Sequence, residues 1–104
     1  MLPLRRFVIA DTSMEPTLRP GDRVLVMTWL WPRVGDLVVF QHPEWRRTIA
    51  VKRVERVESS GDVVLKSDNP NVGTDSRHFG PVPRPLIHGT VVYRYLPGMR
   101  RGRL

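Results

Sequence analysis

One serine and one lysine in this sequence have the surroundings that nucleophilic catalysis requires. Ser13 follows the apolar run FVIA and precedes a turn that contains Pro16 and Pro20. A hydroxyl at such a strand-to-turn junction can stand clear of a sheet, with backbone N–H groups nearby to stabilise an oxyanion. Lys52 lies in the apolar-rich run IAVKRV, where burial would lower its pKa and leave a neutral amine able to take the serine proton. The two residues are therefore candidates for acyl transfer by a Ser-Lys pair.

Each of the two residues also has an ordinary structural interpretation. A serine in front of a proline-rich turn commonly caps that turn or a helix. A lysine in a strand often extends its charged end from an exposed face, and here Arg53 and Glu55 are its neighbours. The local pattern alone leaves both interpretations open.

The elements that must position this pair are predicted to be short β-strands. Gly-Asp pairs at 21–22, 35–36 and 61–62 precede the β-rich runs RVLVM, DLVVFQ and DVVL, as turns do. The longest run, RTIAVKRVERVE, alternates so that Ala50, Lys52 and Val54 share one face, and SSGD then predicts a hairpin. A long irregular segment precedes the closing strand pattern IHGTVVYRYL. We expect a mostly β (all-β), barrel-like or sandwich-like fold, as one domain spanning residues 1–104.

The charge and cysteine content limit the chemistry and the partners. The 104 residues include 17 basic and 10 acidic side chains, a net charge of +7, and no cysteine. Disulfides and thiolate catalysis are therefore excluded, and the positive charge suits an acidic partner or a membrane surface. Lys66, the other lysine of the chain, is interpreted as a surface residue.

The hydropathy pattern predicts a cytoplasmic protein without a transmembrane anchor. No apolar run reaches the roughly 18 to 20 residues that cross a bilayer, and the apolar start of the chain is too short for a signal peptide. The most hydrophobic patch is VLVMTWLWP at residues 24–32. We interpret it either as a buried strand with its turn or as a lip in peripheral contact with a membrane.

Five motifs resemble those of signal peptidase I and its relatives. SMEPTLRPGDRVLV resembles the serine motif usually written S-M-x-P-T-L, VGDLVVF resembles a GDIVVF strand, and VKRV resembles the lysine motif. SDNPNVGTDSRHFGPVP and LIHGTVVYRYLP resemble the last motif and the closing strand. The motifs occur in the family's order over residues 7–97, so the chain resembles a Ser-Lys serine protease of this family.

This resemblance assigns roles to three residues. It implies that Ser13 is the nucleophile and Lys52 the general base, with the amide N–H of Ser13 in the oxyanion hole. Met14 would shape the substrate groove. No metal or other cofactor is implied, and the substrate would be a precursor protein.

The last motif and two departures from the family complete the predicted site. By the resemblance, Asp75 and Arg77 form a structural pair, and Asp68 also supports the site. Asp11 stands where many relatives supply an oxyanion-hole hydroxyl or a glycine, and a carboxylate there would oppose catalysis unless it is protonated or turned away. Gly73 stands where some relatives place a serine that holds the lysine.

The resemblance also suggests a narrower substrate. Relatives usually carry a transmembrane helix before the serine and often an inserted β-domain after the lysine, and we expect only the catalytic core here. Such a core resembles the small proteases that mature nickel-type superoxide dismutase by removing an N-terminal extension. General signal-peptidase-like processing of another precursor is the alternative.

Other enzyme classes fit the sequence less well. A Ser-His-Asp triad would need His42, His78 or His88, but no serine lies in a G-x-S-x-G motif, and His42 and His88 are interpreted as turn and surface residues. Three scattered histidines predict no metal site. A self-cleaving repressor would need a DNA-binding domain or a cleavable arm in front of the serine.

A non-enzymatic function is the remaining alternative. A basic β-barrel could bind nucleic acid through its positive charge, with bases stacked on Trp29, Trp31 and Trp45. Scattered arginines are more often a solvated surface, and two of the tryptophans lie in an apolar run. The sequence therefore favours a protease over a nucleic-acid-binding protein.

Overall fold

The computed structural model describes residues 3–29, 31–71 and 75–104 and is mostly β, as predicted. In these ranges the strands are β1 (Leu4–Val8), β2 (Arg23–Met27), β3 (Leu37–Gln41), β4 (Ile49–Val57), β5 (Val63–Lys66), β6 (Ile87–Leu96) and β7 (Gly102–Arg103). One short helix, α1 (Ser76–Phe79), lies between β5 and β6, and 3₁₀ turns cover Arg84–Leu86 and Gly98–Arg100.

All described strands pair antiparallel in one sheet. The order is β1-β2-β6-β3-β4-β5, with β7 paired to β6. The predicted hairpin is confirmed, because β4 pairs with β5 across the SSGD turn. The predicted Gly-Asp turns are confirmed too, since Gly21, Gly35 and Gly61 have φ values of 91°, 92° and 94°, which favour glycine.

Apolar side chains cover both faces of the sheet. One cluster contains Leu37 and Val39 of β3, and a second contains Val38 and Phe40 of the same strand. Strand alternation divides β3 between the two clusters, so the strand is buried on both sides. β4 pairs with this buried strand along Leu37–Gln41.

The predicted alternation of β4 is observed. Val51 packs in the first cluster, whereas Val54 and Ala50 pack in or against the second. Lys52 pairs with Val38 in the sheet and is buried. It lies on the face of Ala50 and Val54 because side chains two residues apart point the same way.

The hydrophobic patch at residues 24–32 divides into two parts. Val24 and Val26 are buried in the core, as one interpretation of the patch expected, whereas Trp29 and Trp31 are 58% and 68% exposed. Leu30 lies outside the described residues. No helix in the described ranges has the length and apolar character that a membrane span needs.

Candidate active site

Ser13 lies in the loop that connects β1 to β2. Hydrogen bonds between Ile9 and the Gly21–Asp22 turn close the base of this loop, at 2.8 and 2.9 Å. Within it, the Glu15 amide donates to the Thr12 carbonyl at 3.1 Å. The tight turn buries Ser13, which is 2% exposed, so its hydroxyl faces the protein and not bulk water.

Lys52 of β4 meets this hydroxyl. Its Nζ lies 2.7 Å from Ser13 Oγ, and the residue is 4% exposed. Burial lowers the pKa of Lys52 from the ordinary value of 10.5, while the charges of Asp11 and Asp75 partly oppose that shift. A lysine with a lowered pKa is neutral more often near pH 7, and only the neutral amine can accept a proton.

Asp11 holds the same serine from the other side. Its Oδ1 accepts a hydrogen bond from the Ser13 hydroxyl at 2.8 Å and another from the Ser13 amide at 3.1 Å. The carboxylate is therefore turned toward the two groups that a serine nucleophile uses. Gly73, the other departure noted in the sequence, lies outside the described residues.

Asn69 holds the backbone of the serine loop and was missed by the sequence analysis. Its amide donates to the Ser13 carbonyl at 2.9 Å, and its side chain donates to the Thr12 carbonyl at 3.1 Å. The adjacent Asp68 amide lies 3.4 Å from the Met14 sulfur. In the sequence, only the motif SDN could have indicated this role of Asn69, since asparagine side chains often form hydrogen bonds with nearby loop backbone.

Arg53 and Asp68 join β4 to the serine loop. Arg53 donates to both Asp68 oxygens, at 2.8 and 2.7 Å, and Thr17 donates to the same carboxylate at 2.6 Å. The hydrogen bond from Arg53 is the main cause that lowers the pKa of Asp68. Asp68 thus lies where the sequence analysis expected structural support, but Arg53, its partner, was not predicted.

Asp75 and Arg77, the predicted structural pair, are in contact at the start of α1. Arg77 Nε donates to Asp75 Oδ1 at 3.0 Å, and the Ser67 amide donates to Asp75 Oδ2 at 3.1 Å. Burial alone would raise the pKa of Asp75, but hydrogen bonds from Arg77 and Ser67 outweigh it, so the pKa is lowered. The Asp75 carboxylate therefore stays charged and fixes the segment that follows β5.

A small cavity is lined by Asp11 and Met14, which flank Ser13 in the serine loop. Its volume is about 30 Å³, enough to hold at least one water molecule. Met14, for which a groove-shaping role was predicted, is 1% exposed and forms part of its wall. The lining residues come from the end of β1, the serine loop and the start of β4: Phe7, Ile9, Ala10, Asp11, Met14, Ile49, Ala50 and Val51.

The histidines form no second candidate site with Ser13. His42 is a turn residue, as predicted, because its Nδ1 accepts from the Glu44 and Trp45 amides at 3.0 Å. Its ring is buried and lies against Trp45 and Phe79. His78 takes part in the cap of α1 beside Asp75. Lys66 is exposed, as predicted. In the ranges that the structure describes, no three His, Cys, Asp or Glu side chains are grouped as metal ligands would be.

Two of the tryptophans proposed for base stacking have an occupied face. The Arg84 guanidinium lies 3.4 Å from the centre of a Trp31 ring, and His42 stacks on Trp45 at 4.5 Å. A base would have to use the opposite face of each ring or displace these partners. This arrangement weakens the nucleic-acid interpretation.

Comparisons with known proteins agree with the protease motifs. The Peptidase S24-like family matches residues 6–80, a range that contains Ser13 and Lys52. Mitochondrial ATP-independent inner membrane protease subunit 1b of Arabidopsis thaliana is 32% identical, over 82% of this chain and 66% of the relative. Mitochondrial inner membrane protease subunit 1 of Homo sapiens is 30% identical, over 82% and 65%. A probable signal peptidase I-1 of Synechocystis sp. is 27% identical, over 95% and 74%. The chain thus spans about two thirds of the length of the inner membrane relatives.

Proposed function

The chain belongs to the Peptidase S24-like family, and from that premise we propose that it is a serine endopeptidase with a Ser13–Lys52 dyad. The observation that carries the proposal is the 2.7 Å distance between the buried Lys52 Nζ and Ser13 Oγ. A buried amine with a lowered pKa next to a buried hydroxyl is the arrangement that makes a serine nucleophilic without a histidine.

The reaction proceeds in two halves. Neutral Lys52 takes the hydroxyl proton while Ser13 Oγ attacks the scissile carbonyl carbon, and the carbonyl oxygen becomes an oxyanion near the Ser13 amide. Lys52 then gives the proton to the departing amine, which leaves an ester on Ser13. Water attacks that ester while Lys52 takes a proton from the water. The tetrahedral intermediate then breaks its bond to Ser13 Oγ, Lys52 returns the proton to that oxygen, and the acid product leaves with the Ser13 hydroxyl and neutral Lys52 restored.

The substrate is a precursor protein bound in an extended conformation. The cavity lined by Asp11 and Met14, the neighbours of Ser13, is small, about 30 Å³, and this favours a substrate with a small side chain there. In the described residues β1 pairs only with β2, so its outer edge has backbone groups available to an added strand. Ala10 beyond β1 and Ala50 in β4 both line the cavity, and this supports binding of the scissile bond between these two segments.

Two finer statements rest on the sequence motifs. The first is that the precursor is an N-terminally extended nickel-type superoxide dismutase, with signal-peptidase-like processing of another precursor as the alternative. The second is a cytoplasmic location, with peripheral membrane contact through the exposed Trp29 and Trp31. Two of the relatives named above are mitochondrial inner membrane proteases, and the third is a probable signal peptidase. These names favour the alternative, in which the substrate is a precursor other than the dismutase.

The proposal is tested by mass spectrometry of cleavage products. Wild type, Ser13→Ala, Lys52→Ala and Lys66→Ala are each incubated with the extended dismutase precursor and with a peptide library that carries small residues at every second position. We expect one new N-terminus from wild type and from Lys66→Ala, the matched lysine control, and none from the other two. Cleavage by Ser13→Ala or Lys52→Ala would reject the dyad.

The two substrates separate the broad proposal from the narrow one. Cleavage of library peptides without cleavage of the precursor would keep the endopeptidase and reject the dismutase substrate. Failure of the wild type on both substrates would count against the endopeptidase itself.

A further inference from the structure

The carboxylate of Asp11 occupies both Ser13 groups that the proposed reaction needs. A single oxygen, Oδ1, accepts from the hydroxyl at 2.8 Å and from the amide at 3.1 Å. The hydroxyl must give its proton to Lys52, and the amide must donate to the oxyanion. Neither group is free to do so while Asp11 stays in place.

The direction of the hydroxyl proton follows from the partners. The Ser13 hydroxyl donates to Asp11 Oδ1 at 2.8 Å, so its single proton points toward that oxygen. Lys52 Nζ, 2.7 Å away, must then donate to the Ser13 oxygen. General-base catalysis requires the opposite arrangement, in which the hydroxyl donates to a neutral Lys52. The free enzyme therefore holds its serine in an unreactive orientation.

The Asp11 side chain can leave this position without disturbing the loop. Asp11 is exposed, whereas Ser13 is buried. The backbone that carries the serine is held separately, because Asn69 binds the carbonyls of Thr12 and Ser13. Rotation of Asp11 would move the carboxylate toward water and leave the positions of Ser13 and Lys52 unchanged.

We propose that Asp11 is a positioning residue that caps Ser13 in the free enzyme and is displaced by the scissile carbonyl of an extended substrate. The inference rests on the proposed function. A long substrate gains binding free energy along β1 and the cavity and can use it to displace the cap. A small ester has no such contacts, so the cap selects extended peptides over small electrophiles.

The direct test measures acetylation of Ser13 by p-nitrophenyl acetate. Wild type, Asp11→Asn, Asp11→Ala and the matched control Glu15→Gln are compared by nitrophenolate release and by intact-protein mass. Glu15→Gln removes a nearby negative charge from a residue whose side chain makes no hydrogen bond in the described part of the chain. Ser13→Ala in the Asp11→Ala background gives the rate that does not depend on the serine.

We expect acetylation to be about tenfold faster in Asp11→Ala, the scale of one charged hydrogen bond converted to a rate. Asp11→Asn should be intermediate, because its amide oxygen still accepts but carries no charge, and Glu15→Gln should match wild type. A purely structural role would slow the reaction instead. Equal or slower acetylation in both Asp11 variants would overturn the cap. Thermal unfolding checks folding, and the near-isosteric Asp11→Asn keeps the test valid if Asp11→Ala is unstable.

Cleavage of the library peptides distinguishes failure of the cap from failure of the proposed function. In both Asp11 variants we expect KM for an extended peptide to fall more than kcat changes, since the substrate no longer displaces the carboxylate. Peptide cleavage by wild type without faster acetylation in the variants would reject the cap and keep the endopeptidase. Faster acetylation without any peptide cleavage would keep the cap and reject the endopeptidase.

Discussion

Lys52 and Arg53 are consecutive residues of β4 with opposite electrostatic surroundings. Lys52 is buried against Ser13, and among the described residues no carboxylate lies within ion-pair distance of it; burial lowers its pKa. Arg53, on the other face, bonds both oxygens of Asp68, and that hydrogen bond raises the pKa of Arg53. One strand thus presents a cation that can become neutral and a cation that cannot, and only the first is suited to proton transfer.

The same comparison explains how the serine loop is held. The charged pair of Arg53 and Asp68 binds this loop through Thr17, and Asn69 binds it through backbone carbonyls. These contacts do not require Lys52. Arg53 on one face of β4 thus supports the serine loop, whereas Lys52 on the other face acts on the serine itself. Substitutions on the first face should mainly change stability, and substitutions on the second face should mainly change activity.

The largest effect on activity should come from replacing Lys52 by arginine, and it is compared with the replacement of Arg53 by lysine. Lys52→Arg keeps a positive charge that cannot be lost, and removal of a general base costs about 10²- to 10⁴-fold in rate, so peptide cleavage should fall by at least that range. Arg53→Lys should keep most activity. Rates of cleavage of one library peptide check both variants, and retention of activity in Lys52→Arg would contradict the distinction between the two faces.

Breaking the Arg53–Asp68 pair should mainly lower stability. Asp68→Asn should reduce the free energy of unfolding by about 1–3 kcal/mol, because charged, partly buried hydrogen bonds are lost and Arg53 keeps an uncompensated charge. Urea unfolding measures the change. Lys52→Met is the matched variant on the other face and should unfold at a urea concentration no lower than wild type, since no ion pair is lost.

Removing the side chain of Asn69 should have a smaller effect on both properties. Asn69→Ala loses the bond to the Thr12 carbonyl but keeps the backbone bond to Ser13. We expect a loss of about 1 kcal/mol in unfolding free energy and up to about tenfold in cleavage rate, measured on the same peptide. Unchanged rate and stability would show that the backbone bond alone holds the loop.

The smallest of the expected effects is a change in the pH dependence of activity when Asp11 is replaced by asparagine. Activity should rise with pH through the lowered pKa of Lys52, below 10.5, and this acid limb should move to lower pH in Asp11→Asn because the Asp11 charge raises that pKa. A pH profile of kcat/KM measures the limb, with Glu15→Gln as control. Movement to higher pH would show that Asp11 does not act on Lys52 in this way.

The same pKa shift has a defined sign for stability. Between the lowered folded pKa of Lys52 and its ordinary 10.5, the unfolded chain binds more protons than the folded chain. The free energy of unfolding should therefore rise with pH across this window. Asp68 and Asp75 act at the acid end, because their pKa values are lowered from 3.8. Their contribution is present above that value and is lost as pH falls through the folded pKa.

The sequence by itself determined the strands from β2 to β6, the Gly-Asp turns and the face of β4 that carries Lys52, whereas it did not predict strands at β1 and β7. These features depend on neighbouring residues: glycine permits the turn conformation, and alternation places every second side chain on one side. The serine and lysine motifs likewise identified Ser13 and Lys52 as candidates. These features could be predicted because each depends only on residues that are close together in the sequence.

Only the tertiary structure decided how the candidates meet. Ser13 and Lys52 are 39 residues apart, and their contact depends on the pairing register of β3 with β4 and on the path of the serine loop. The bonds of Asp11 to Ser13, of Asn69 to the loop carbonyls and of Arg53 to Asp68 depend on side-chain rotamers in that packed arrangement. A change of one residue in register would turn Lys52 away from Ser13 and Arg53 toward it, which is why local patterns could not determine the site.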